Sequence, residues 1–163
     1  MNATFEIKTN GHNKTIDQNP VTKKLSQVLA ETYTLSLKTQ SFHWNVTGPM
    51  FQPLHSLFEE QYSELARAVD EMAERIRALG QPAPGSFKEF QILSSIKCTS
   101  EKTNSWTMIQ ELLEGHVTIS QTANNAFNIA QKAGDEGTAD LMVQRIQMHD
   151  KTAWMLRSFM DIE

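Results

Sequence analysis

Apolar residues recur along the chain at Leu54, Phe58, Tyr62, Leu65, Val69, Met72, Ile76 and Leu79, in steps of 4, 4, 3, 4, 3, 4 and 3. That rhythm keeps one face of an α-helix apolar for about seven turns. Gly80 predicts its C-terminal stop, and Pro82 and Pro84 prevent a restart. A first helix is predicted over about Thr22 to Val46. It carries Leu25, Val28, Leu29, Tyr33, Leu35, Leu37 and Phe42 in looser order, with no glycine or proline between Pro20 and Gly48. A third starts near Asn104 or Ser105 and runs through Trp106, Ile109, Leu113, Val117, Phe127 and Ala130 to Gly134, tolerating Gly115. A fourth begins between Asp135 and Thr138 and reaches about Met160. Met142, Ile146, His149, Ala153, Leu156 and Met160 form its main stripe, with Leu141, Met148, Met155 and Phe159 adjoining. No alternating Val/Ile/Thr run predicts a strand.

Four long helices make an all-α four-helix bundle. The link from Gly80 to Asn104 is long enough to cross the bundle end to end, and Ser86 to Ile92 within it predict a short helix. The other two links are short, so two hairpins are joined by one crossover. Residues 1–20 are polar and read as a mobile arm, leaving 21–163 as the bundle.

A chain of 163 residues fits one domain. Its 15 Lys and Arg against 19 Asp and Glu give a net charge of −4, which argues against one large cationic face for nucleic acid. Cys98 stands alone, excluding an intrachain disulfide or a cysteine-based zinc site and fitting a reducing cytoplasm. The N-terminal residues show no apolar core of a secretory signal, and no run is long enough to cross a membrane.

Candidate chemistry gathers around the first hairpin. His43 lies near the end of the first helix, His55 in the first turn of the second, and Glu59 four residues on. Asp70 and Glu74 follow, again four apart. Imidazoles with carboxylates suit Fe(II), Mn(II) or Zn(II) rather than a soft thiolate site. At ~100° per residue, with His55 at zero, Glu59 falls at ~40°, Asp70 at ~60° and Glu74 at ~100°, on a flank beside the apolar stripe. Fifteen residues between His55 and Asp70 make about 22 Å along the axis, while metal–ligand bonds are only ~2 Å. The two halves therefore cannot grip one ion within one chain. Two antiparallel copies of the second helix across a twofold axis would bring them together, giving two sites per dimer. The residues three before His12, His43, His55, His116 and His149 are Thr9, Gln40, Gln52, Leu113 and Ile146, so the Glu-x-x-His motif of an intrachain di-iron core is missing.

His43-Trp44-Asn45, Gly48-Pro49 with Phe51, Leu54-His55, Asp70 to Arg75 and Leu79-Gly80 resemble the Dps family of mini-ferritins (DNA-binding proteins from starved cells). Thr138 to Leu141 and Asp150-Lys151 through Trp154 resemble that family's last helix. The resemblance implies a ferritin-like bundle assembled as a hollow shell of twelve subunits. It implies Fe(II) oxidation, with hydrogen peroxide preferred, at two-iron ferroxidase centres shared between subunits, and storage of Fe(III) as mineral. By the same resemblance, His43 and His55 come from one subunit and Asp70 and Glu74 from its twofold mate. Glu59 departs from an aspartate that many members carry, and Trp44 resembles a tryptophan that handles oxidising equivalents. Asp135 and Asp140 resemble acidic residues of a threefold entry pore, against plainer roles as a helix cap and a first-turn acid. Glu60 and Glu64 are candidates for mineral nucleation.

The bland alternatives are hydrogen-bonded histidines at a hairpin and a solvated acidic face with Glu74 and Arg75 in surface pairs. His149 reads as a satisfied core histidine; His12 and His116 take no role, and Trp106 and Trp154 read as core. A second function class is a nucleoid-binding shell. Residues 1–24 carry a net +2 from Lys8, Lys14, Lys23 and Lys24 against Glu6 and Asp17. Twelve such arms would bind DNA weakly and multivalently, fading steeply with salt.

Overall fold

The computed structural model describes residues 19–97 and 103–160. Its helices are α1 (Pro20–Asn45), α2 (Phe51–Ala78), α3 (Phe87–Leu93), α4 (Ser105–Lys132) and α5 (Glu136–Ser158), with no strand among the described residues. Residues 1–18 of the expected arm, with His12, and Cys98 lie outside the described residues. Asn19 and Pro20 already begin α1: the Asn19 side chain accepts the Val21 amide at 2.9 Å, and Pro20 occupies the first turn, where its missing N–H costs nothing. Lys23 and Lys24 therefore stand on a helix rather than on an arm.

α2 begins ahead of its apolar stripe, because Pro53 is tolerated in a first turn. Its end is chemically specified. Gly80 takes φ +84°, its amide reaches the Arg77 carbonyl at 2.9 Å, and the Gln81 amide reaches Ile76 at 3.2 Å. This paired closure of the last turn needs a left-handed residue, which glycine supplies without strain. α3 starts with Ser86 and Glu89 satisfying each other's backbone amides.

α1 packs on α2 and α4 on α5; α1 also meets α4, α3 lies on α1, and α2 touches α5. The core between them holds Leu25, Leu29, Leu35, Leu54, Phe58, Leu65, Met72, Ile76, Leu112, Ile119, Met142 and Leu156, all fully buried. Each such side chain stabilises the fold by about 1.5–3 kcal/mol. The loose periodicity of α1 has a structural cause. Packed against α2, α3 and α4, it buries most of its circumference, including Thr32, Thr34 and Thr39. Those hydroxyls donate to the carbonyls of Val28, Ala30 and Leu35, one turn back, so they enter the interior satisfied. Gly115 is likewise more than a tolerated cost: a Cβ there would lie 2.5 Å from Leu35 Cδ1, so its bare backbone sets how closely α1 approaches α4.

Two expectations are corrected. Trp106 and Trp154 are 40% and 62% exposed rather than core. Trp106 is the second residue of α4, at its open end, and Trp154 is turned ~100° from the buried Ala153. Met155 of the adjoining stripe is also exposed.

Candidate metal centre

The α1–α2 turn is short, and Gly48 takes φ +96° within it, with its carbonyl receiving the Phe51 amide at 3.0 Å. This turn lays the last turn of α1 beside the first of α2. The rings of His43 and His55 stack with centroids 3.8 Å apart and an interplanar angle of 21°. Each ring binds the other residue's backbone: His43 Nδ1 donates to the His55 carbonyl at 2.8 Å, and His55 Nδ1 donates to the His43 carbonyl at 2.9 Å. A carbonyl only accepts, so both Nδ1 atoms carry hydrogen, and in the neutral rings both Nε2 lone pairs are left for a ligand. The His43 carbonyl is one of the orphan acceptors at the end of α1, so the exchange also caps the helix. Tyr62 meets His43 edge-on at 5.4 Å and Phe51 leans on His55 at 5.0 Å. Sequence reasoning missed Tyr62 in this role, although its place seven residues beyond His55 puts it two turns along the same side of α2.

His43 is buried and His55 half-buried, whereas Glu59, Asp70 and Glu74 are exposed along α2. None of these three carboxylates makes a hydrogen bond or ion pair among the described residues. The surface pair of Glu74 with Arg75 is not formed; Arg75 turns instead to Asp135 and Thr138 across the bundle. No group of three or more His, Cys, Asp or Glu side chains in the described chain lies close enough to hold a metal ion. The structure thus pairs the two histidines with each other but does not bring Asp70 or Glu74 to them.

Trp44 is 64% exposed and takes no part in the ring contacts that hold the histidines. Glu60 is exposed. Glu64 is half-buried and accepts from Arg145 at 2.7 Å. Asp140 is exposed and accepts from Gln144 at 2.8 Å. Asp135 is the N-cap of α5: it accepts the Thr138 amide at 3.0 Å and its hydroxyl at 2.6 Å, besides the Arg75 guanidinium. Burial alone would raise its carboxyl; the Thr138 hydrogen bonds and then Arg75 outweigh that and hold it below its ordinary value.

His149 is in the core, but not alone. His116, which the sequence left without a role, is 1% exposed, and its Nδ1 lies 2.9 Å from that of His149. Burial pushes the His116 ring down to about 3. Burial, then the neighbouring His116 and Arg145, hold His149 well below its ordinary value. A signal for this pair was present: His116 sits three residues after Leu113 on the α4 stripe, as His149 does after Ile146 on α5.

Comparison with known proteins agrees with this architecture. Residues 22–162 match the ferritin-like domain family. The crystal structure of Dps from Staphylococcus aureus is 36% identical and superposes with a TM-score of 0.87, covering 90% of this chain and 98% of that one. DNA protection during starvation protein 2 of Bacillus anthracis is 35% identical over 141 residues, 86% of this chain and 97% of its own length. A Dps protein of Vibrio cholerae O1, described as a member of a broad superfamily of ferritin-like diiron-carboxylate proteins, is 30% identical with a TM-score of 0.84, covering 86% of this chain and 89% of that one. With a ferritin-like bundle along the chain and these relatives over most of its length, the protein belongs to the Dps family.

Proposed function

We propose that this protein oxidises Fe(II), with hydrogen peroxide as the preferred oxidant, and stores the Fe(III) as mineral inside a shell of twelve subunits. Iron is the substrate and cargo. The observation that carries the reading is the reciprocal His43–His55 exchange, which fixes both tautomers and leaves two imidazole nitrogens free at the bundle surface. Three unpaired carboxylates on the flank of α2 supply the complementary charge. His43 and His55, with Glu59, bind Fe(II) against Asp70 and Glu74 of the partner subunit. The carboxylates neutralise the charge of Fe(III), and few imidazoles keep Fe(II) binding moderate. Two irons give peroxide its two electrons, so no hydroxyl radical is released, and removing both reactants protects DNA. Trp44, exposed beside His43, receives stray oxidising equivalents. Asp140 lines the entry pore; Asp135 contributes less there because Arg75 and Thr138 already hold its carboxylate. Glu60 offers a free carboxylate for mineral nucleation, while Glu64 shares its charge with Arg145.

A shared site makes a sharp test. One variant carries His43→Ala with His55→Ala, the other Asp70→Ala with Glu74→Ala. Each homo-oligomer is expected to be inactive in peroxide-driven Fe(II) oxidation. After unfolding and co-assembly, each mixed dimer has one intact centre, so about a quarter of wild-type sites return on random pairing. Mixed shells of normal size with no recovered oxidation would refute the intersubunit centre.

A further inference from the structure

A polar layer crosses the interior at mid-bundle. Gln61 and Glu64 enter it from α2, His116 from α4, and Arg145 and His149 from α5. Four of the five residues are more than nine-tenths buried: Gln61 8%, His116 1%, Arg145 8% and His149 0% exposed. Two contacts pair four of its members, Arg145 with Glu64 at 2.7 Å and His116 with His149 at 2.9 Å. Six fully buried side-chain atoms in it have no partner: both amide atoms of Gln61, Glu64 Oε2, His116 Nε2, Arg145 Nε and His149 Nε2. Folded proteins leave only a few such atoms unsatisfied per hundred residues, so six of them in one layer point to a ligand.

The chemistry of the six selects the ligand. Arg145 Nε and the Gln61 amide nitrogen only donate, which opposes a metal cation. Glu64 Oε2 and the Gln61 amide oxygen only accept, which opposes an anion. In the histidine pair one Nδ1 donates to the other, so one Nε2 is left as an acceptor and the other as an N–H donor. Equal calls for donors and acceptors are met by a molecule that does both. We propose that this layer is an internal water-binding site, holding about two ordered waters on the usual three hydrogen bonds each, and that these join the Glu64–Arg145 pair to the His116–His149 pair in one hydrogen-bonded chain. Glu64, whose side chain is 29% exposed, connects the chain to solvent. A proton delivered to one histidine Nε2 then releases the Nδ1 proton to the neighbouring ring, whose own Nε2 proton passes to water. Proton number is conserved, and both rings end as neutral tautomers with their roles exchanged.

Crystals of the assembled protein test this. X-ray data good enough to place surface waters are expected to show density within hydrogen-bond distance of His149 Nε2, Gln61 and Arg145 Nε. Neutron data after soaking in D2O are expected to show deuterium on both rings while neighbouring core amides of α4 and α5 keep hydrogen. In Gln61→Leu, with folding checked by thermal melting, at least one water is lost and ring exchange slows. A dry layer, rings that keep hydrogen, or a Gln61→Leu variant with unchanged waters and exchange would overturn the proposal.

Discussion

His55 does two jobs with one ring. Its Nδ1–H caps the His43 carbonyl at 2.9 Å, and its other nitrogen remains open. His55→Ala therefore removes a ligand from the proposed centre and also the brace that orients His43. We expect peroxide-driven Fe(II) oxidation to fall by at least about tenfold, the range seen when a ligand or the group orienting it is lost. The fold itself should lose only about 1 kcal/mol, the worth of one hydrogen bond. Stopped-flow absorbance of Fe(III), alongside a melting curve, checks both numbers. A variant that melts normally and still oxidises iron at the wild-type rate would leave the ring without a functional role. Neither histidine needs the rest of the bundle to be recognised, because their identities and twelve-residue separation are in the sequence. Their stacking, and the Tyr62 edge against His43, depend on how the Gly48 turn closes.

At the scale of elements, the seams between helices carry the specificity. Gly115 lies in the α1–α4 seam, where an added methyl would meet Leu35 Cδ1 at 2.5 Å. Gly115→Ala gains helix propensity but overpacks the seam, and we expect a net loss of about 1–3 kcal/mol by denaturant unfolding. The α4–α5 seam carries the buried His116–His149 pair, and its linkage to pH has a definite sign. Both rings have folded-state values below the unfolded one, His116 at about 3. Above the ordinary histidine value near 6.5 neither state binds the extra protons, and the stability is intact. Between there and the depressed folded values only the unfolded chain takes them up, so stability falls as pH drops. His149→Phe removes one titrating group, and its melting temperature should fall less steeply than the wild type's between pH 6.5 and 4. Parallel slopes would show that the pair does not govern the acid limb.

Across the whole molecule, the ties that span elements differ in kind from the helix stripes. Arg75 near the end of α2 reaches Asp135 and Thr138 at the start of α5, and Lys38 of α1 meets Glu111 of α4 at 2.8 Å. With a net charge of −4, any DNA contact must come from locally basic segments. Lys23 and Lys24 belong to α1, and Lys24 is engaged with Gln27, which leaves Lys8 and Lys14 as the basic residues ahead of the helix. Deleting residues 1–18 should abolish whatever gel retardation of DNA the intact protein shows at low salt, without changing iron oxidation. Retardation that survives the deletion would assign DNA contact to the helical bundle itself.

The α2 stripe, the glycine stop at its end, the capped start of α4, and the crossover that makes two hairpins into one bundle were legible because local chemistry dictates them. So was the separation of His55 from Asp70, since helix rise alone puts them too far apart for one ion. Trp106 and Trp154 were misread because an apolar side chain does not reveal whether its helix position faces a neighbour. The width of α1 burial, the pairing of His116 with His149, the turn of Arg75 away from Glu74 and the role of Gly115 appear only when helices meet. Sequence spacing fixes which residues share a face of one helix; contacts between helices depend on relative rotation and approach, which packing of the entire core decides.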